Sequence, residues 1–147
     1  PKMKKKHYYY IDMDGVLADF DGQPNAVDRF RNEKGFFAML EPISENVEAV
    51  ARMIENHESV RILSKSPNPR ADKDKIKWLK KYLPQIKQQN IILIRNYQRK
   101  QDYMATKQGI LFDDYGQNCR EWETVEGNVA VKITSDVNIA VALSIVA

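Results

Sequence analysis

The chain has 147 residues and a mass of 17.1 kDa, room for one ordinary domain. Apolar residues make up 43% and charged residues 29%, a globular balance that lets a chain this size bury roughly 70% of its unfolded surface without staples. Lys and Arg number 23 against 20 Asp and Glu, a net charge of +3, too small to make a nucleic-acid duplex the main, stable partner. The single cysteine, Cys119, excludes an internal disulfide and a cysteine-rich zinc site. Two histidines, His7 and His57, argue against a histidine metal cage. No segment approaches the roughly 20 apolar residues of a membrane span. Asp12 follows the basic start too soon for a secretory segment, so the expected compartment is the cytoplasm. The opening lysines read as a solvated arm.

In chain order, Tyr8-Tyr-Tyr-Ile-Asp-Met is rich in β-formers and predicts a buried first strand. A polar stretch marked by Gly and Pro runs from Asp19 to Gly35. Ile43, Val47, Val50, Ala51 and Ile54 recur at helical spacing, with Ser44 as the expected N-cap. Val60 to Ser64 predicts a strand, Ser66-Pro-Asn-Pro a loop, and Ile76, Leu79 and Leu83 a helix ended by Pro84. Ile91 to Ile94 is a continuous apolar run, as expected of a strand covered on both faces. Gly109-Ile-Leu-Phe-Asp-Asp predicts a strand ending in two carboxylates, and Asn128 to Ile133 one more. Val137 to Val146 predicts a last helix, apolar nearly all round, expected in the core or in a homodimer contact. Strands alternating with helices predict an α/β fold of three layers with a mainly parallel sheet. Ligands of such sheets sit beyond the carboxyl ends of the strands, where Asp12, Ser64 and Asp113 all fall.

Asp12 and Asp14, two apart at a strand end, can point into one crevice, and Gly15 lets the backbone turn sharply behind them. Carboxylates that close repel unless a cation neutralises them or one holds a proton. Mg²⁺ suits the first remedy, since it prefers hard oxygen ligands and a substrate phosphate. General acid catalysis suits the second. Asp113 and Asp114 end another strand; if it neighbours the first, the carboxylates converge on a metal.

Asp12-Met-Asp-Gly-Val-Leu-Ala-Asp-Phe resembles the first motif of the haloacid-dehalogenase-like phosphohydrolases, in the branch of the 5′(3′)-deoxyribonucleotidases. Gly35-Phe-Phe, Leu40-Glu-Pro, Ile62-Leu-Ser, Lys75-Ile-Lys-Trp-Leu-Lys-Lys-Tyr-Leu and Leu111-Phe-Asp-Asp continue the likeness in order, over roughly residues 7 to 122. The resemblance implies a Rossmann-like domain over residues 1–147, with a reduced helical cap at about 20–40. It implies a Mg²⁺-dependent phosphomonoesterase acting on 5′- or 3′-deoxyribonucleoside monophosphates. Asp12 would be the nucleophile that forms an aspartyl-phosphate, and Asp14 the acid and base. Asp12, Asp14 through its backbone carbonyl, and Asp113 would hold Mg²⁺, with Asp114 assisting.

Ser64 would donate to a phosphoryl oxygen, and Lys75 would set a positive charge beside nucleophile and phosphorus. Lys73, Lys77 and Lys107 are the other candidates for that charge, and Lys65 and Arg70 could add positive field. Phe20 with Phe36 or Phe37 would stack on the base, or else Phe30, Phe36 and Phe37 form a hydrophobic plug in the cap. Another small phosphomonoester, a nucleic-acid end, or nucleotide binding without turnover stay open as alternatives.

Overall fold

The computed structural model describes residues 6–147; the opening lysines before Lys6, read above as a solvated arm, lie outside the described residues. Five strands form one parallel sheet: β1 (Tyr8–Ile11), β2 (Ser59–Lys65), β3 (Ile91–Ile94), β4 (Ile110–Asp113) and β5 (Val129–Lys132). Their order is β3-β2-β1-β4-β5, so β1 lies at the centre and pairs with β2 and β4. Five α-helices accompany them: α1 (Ala26–Asn32), α2 (Ser44–Glu55), α3 (Pro69–Tyr82), α4 (Gly116–Trp122) and α5 (Ile139–Val146). This is the three-layer α/β fold the alternation predicts. Among the described residues, no helix is long and apolar enough to cross a membrane.

Strand alternation divides the side chains between two cores. Tyr9, Ile11, Val60, Ile62, Ile110 and Phe112 share one cluster with buried residues of α2, α3 and α5. Tyr10, Leu63, Ile94 and Leu111 share the other with Trp122 of α4. The same alternation, carried one residue further, sends Asp12, Lys65 and Asp113 to the second side and Ser64 to the first. Asn46 of α2 ties loops together from within the first core: its amide donates to Val16 O at 2.8 Å and its oxygen accepts from Ile139 N at 2.9 Å.

Several local expectations change. Ser44 is the first residue of α2, not its cap: Ile43 holds the cap position and no side chain bonds there. The cap chemistry appears instead on α3, where Asn68 accepts from Ala71 N at 2.9 Å. β3 is an edge strand, only half-buried at Ile91, Ile92 and Leu93, so its apolar run does not mean cover on both faces. α5 buries Ile139 and Ala142 but exposes Val141 and Ile145, so it is not buried all round.

The segment from Phe20 to Leu40 holds α1 and a single 3-10 turn at Phe37–Met39. It is fastened to α3: Gly35 N donates to Asp74 Oδ2 at 2.9 Å, Arg70 donates to Arg31 O and Asn32 O, and Trp78 Nε1 donates to Leu40 O at 2.9 Å. Arg70 thus fastens this segment to α3 through neutral backbone carbonyls.

Candidate active site

Register brings the acidic strand ends together. Ile11 of β1 pairs with Phe112 of β4, and Asp12 N donates to Phe112 O at 3.0 Å, so Asp12 and Asp113 stand side by side. One carboxylate oxygen from each of Asp12, Asp113 and Asp114 lies within 4.8 Å of the others. Gly15 makes this convergence possible: its φ is +77°, and a Cβ there would overlap Asp114 Oδ2. The side chain of Asp14 is outside the cluster. It turns to Lys75, whose Nζ donates to Asp14 Oδ1 at 2.8 Å.

Two lysines occupy the crevice, and the sequence pointed to only one. Lys75, from α3, is fully buried and donates to Asp14, to Ser64 Oγ at 2.6 Å and to Lys65 O at 2.8 Å. All three ammonium protons are thus committed, and the rings of Phe37 and Phe30 lie 4.8 and 5.0 Å from the charge. Lys73, Lys77 and Lys107 are exposed.

The lysine beside the proposed nucleophile is Lys100, from the 3-10 turn Lys100–Tyr103. Its Nζ donates to Asp12 Oδ1 at 3.0 Å and to Asp113 Oδ2 at 2.6 Å. It stands among Arg95, Arg99 and Lys107 in the sequence, all of them before the second acidic strand, and nothing local sets it apart from them.

The electrostatics show how crowded the site is. Burial lifts the Asp12 carboxyl well above the usual range, Asp113 adds to the rise, and Lys100 offsets only part of it. For Asp113 burial acts the same way. The charge and hydrogen bond of Lys100, with donors Tyr115 N and Asn118 Nδ2, outweigh it and hold the carboxyl low. Asp114 is pushed up to about 6, by burial first and then by Asp113. Burial also opposes the charge on Lys100, but Asp12 and Asp113 keep it protonated above the ordinary lysine range. Cys119 is buried, with its thiol pushed up to about 11, as suits an inert residue.

One ammonium among three clustered carboxylates leaves the site short of positive charge. Their hard oxygen donors fit a divalent cation such as Mg²⁺.

The aromatic residues meet each other. Phe36 and Phe37 are buried, and Phe20 is half-buried. Phe20 packs edge-on against Phe30 and Phe36, and Phe37 against Phe30 and Trp78. Of the two roles open to Phe36 and Phe37, the structure shows the plug.

A parallel sheet with Asp-x-Asp-Gly after its central strand and Asp-Asp after the neighbouring one defines the haloacid-dehalogenase-like class. Residues 22–143 match the family described as 5′ nucleotidase, deoxy (Pyrimidine), cytosolic type C protein, and the chain belongs to that family. The match begins after Asp12 and Asp14, so their placement rests on the register above.

Two solved structures of the Pnkp1/Rnl/Hen1 RNA repair complex share the fold. One has a TM-score of 0.64 at 18% identity, over 90% of this chain and 47% of that one. The other has 0.61 at 16%, over 87% and 42%. The chain thus spans about half the length of these two. An uncharacterized protein from Corynebacterium glutamicum has a TM-score of 0.53 at 19% identity, over 97% of this chain and 93% of that one. No curated protein matches the chain.

Proposed function

We propose that the protein is a Mg²⁺-dependent phosphomonoesterase that works through an aspartyl-phosphate on Asp12, with 5′- or 3′-deoxyribonucleoside monophosphates as substrates. The family match supports the nucleotide class. The observation that carries the chemistry is the Asp12–Lys100–Asp113 bridge at the strand ends, 3.0 and 2.6 Å long.

Asp12 Oδ attacks phosphorus, and its new bond replaces the bond to the leaving oxygen. Lys100 lies where the attacking oxygen and the transferred phosphoryl both need a positive charge. Ser64 Oγ accepts from Lys75, so its own proton is free to go to a phosphoryl oxygen. Asp14 protonates the departing alkoxide and then takes a proton from the water that cleaves the acyl phosphate. Lys75 holds Asp14 and Ser64 in register with each other. That makes it a positioning residue, while Lys100 supplies the charge at phosphorus. Mg²⁺, held by Asp12, Asp113 and Asp114, would screen the approaching phosphate from the carboxylates.

The segment at 20–40 serves as the reduced cap in this reading. A cytoplasmic location belongs to the reading as well, on the cytosolic type named in the family's description.

The test is phosphate release from dUMP, dTMP, dGMP, 3′-monophosphates and sugar phosphates, with Mg²⁺ and again with EDTA, beside Asp12→Asn. Nucleotide hydrolysis that EDTA stops and Asp12→Asn abolishes is expected. Turnover by Asp12→Asn at the wild-type rate ends the mechanism; equal rates across the panel end the nucleotide assignment.

A further inference from the structure

Three side chains that take no part in this chemistry lie at or just past the carboxyl ends of β2, β3 and β4, the end of the sheet that carries the site. Lys65 directly follows Ser64. It is half-buried, and among the described residues its ammonium has no hydrogen bond or ion pair. Strand alternation puts Lys65 on the same side of the sheet as Asp12 and Asp113; burial and the nearby charge of Lys100 lower its proton affinity, while Glu121, Asp113 and Asp12 raise it. Tyr115 directly follows Asp114 and is 57% exposed; Tyr97 precedes Lys100 by three residues and is 85% exposed.

Singly exposed aromatic residues are ordinary. Here the position matters. Tyr97 follows β3 and Tyr115 follows β4, with the ends of β2 and β1 between them. Three strand spacings separate the two outer ends by about 14 Å. A spacing of that order between the strand ends suits successive bases of a strand better than one base. The aromatic residues of the 20–40 segment pack on one another, whereas Tyr97 and Tyr115, past the ends of β3 and β4, are exposed. Two stacking faces with a free ammonium between them match a chain of bases joined by phosphodiesters.

We propose that the site takes the phosphorylated end of a single-stranded oligonucleotide. The terminal phosphomonoester lies at Asp12, the adjoining phosphodiester at Lys65, and successive bases on Tyr115 and Tyr97. The proposal rests on the phosphatase reading above and extends its substrate beyond one nucleotide. It accords with the small net charge of +3, because a strand end needs one or two phosphate contacts where a duplex needs many.

The test compares phosphate release from mononucleotides with release from 5′- and 3′-phosphorylated tetranucleotides of the same terminal base. It is joined by fluorescence anisotropy of the labelled tetranucleotides on Asp12→Asn. The expected kcat/KM is about tenfold higher for the tetranucleotide, given the worth of base–aromatic stacking. Tyr97→Ala with Tyr115→Ala should bring that ratio near one. Lys65→Gln should lower the slope of log affinity against log salt by about 0.7. Annealing a complement hides the base faces and should erase the preference.

Mononucleotides hydrolysed as well as tetranucleotides would overturn this proposal and leave the phosphatase reading standing. A preference for the duplex would overturn it too. If nothing is hydrolysed, the phosphatase reading fails, and anisotropy still decides this one: tetranucleotide binding no tighter than that of a competing mononucleotide overturns it.

Discussion

Replacing Lys100 with Met keeps the length of the side chain and removes its charge. The ammonium now bridges two carboxylates that are both under one-tenth exposed. Removing one partner of a buried ion pair costs about 3–5 kcal/mol, because the remaining charge has neither water nor a counter-ion. In a domain of this size that lowers the melting temperature by about 10–15 °C.

The pH window follows from the directions of the shifts. The raised Lys100 contributes stability below the unfolded lysine pKa and loses it as pH rises through the folded value. The lowered Asp113 contributes above the unfolded carboxylate pKa and loses it as pH falls through its folded value. Both contributions are complete at about pH 7.5, so thermal melts by circular dichroism in EDTA belong there. Mg²⁺ should recover part of the loss, since the same carboxylates attract it. A Lys100→Met variant melting within about 2 °C of wild type in EDTA would refute the reasoning, because the bridge would then hold no net stability.

Lys75→Met should separate positioning from stability: kcat falls by about a hundredfold, in line with misplacing Asp14 and Ser64 by about 1 Å. Its melting point should fall by only a few degrees, because Asp14 is 26% exposed and keeps its water; an unchanged kcat contradicts the role given to Lys75. Mg²⁺ affinity, measured by calorimetry, should weaken as pH drops below about 6, where Asp114 gains a proton, by up to about tenfold per pH unit; a constant Kd between about pH 5 and 7 removes Asp114 from the ligand set. Phe37→Ala opens the aromatic plug between Phe30 and Trp78 and should cost about 3–5 kcal/mol in urea unfolding; a loss under about 1 kcal/mol would mean the plug carries little of the fold.

Much of the fold was legible because its signals are local. An apolar run ending in Asp12-Met-Asp-Gly or in Asp113-Asp114 states a strand and its chemical end within a few residues. Helical spacing from Ile43 to Ile54 did the same for α2, although its first turn has no side-chain cap. Burial was less legible. The run at Ile91 to Ile94 looks like a central strand, but whether a strand is covered depends on what packs beside it, and β3 lies at an edge. Phe36 and Phe37 suit a base platform or a plug equally well in sequence; contacts with Phe20, Phe30 and Trp78 decide for the plug.

The chain's own order of residues determined the parallel α/β layout and the acidic strand ends, since each rests on neighbours or on helical and strand periods, while Ser64 and Lys75 entered as site candidates through the motifs that resemble the family's. Folding alone decided that Lys100 bridges Asp12 and Asp113 while Lys75 turns to Asp14 and Ser64. An ammonium on a flexible four-carbon stem carries no local mark of its destination. Its partner is chosen by which carboxylates the strand register leaves buried and uncompensated within reach.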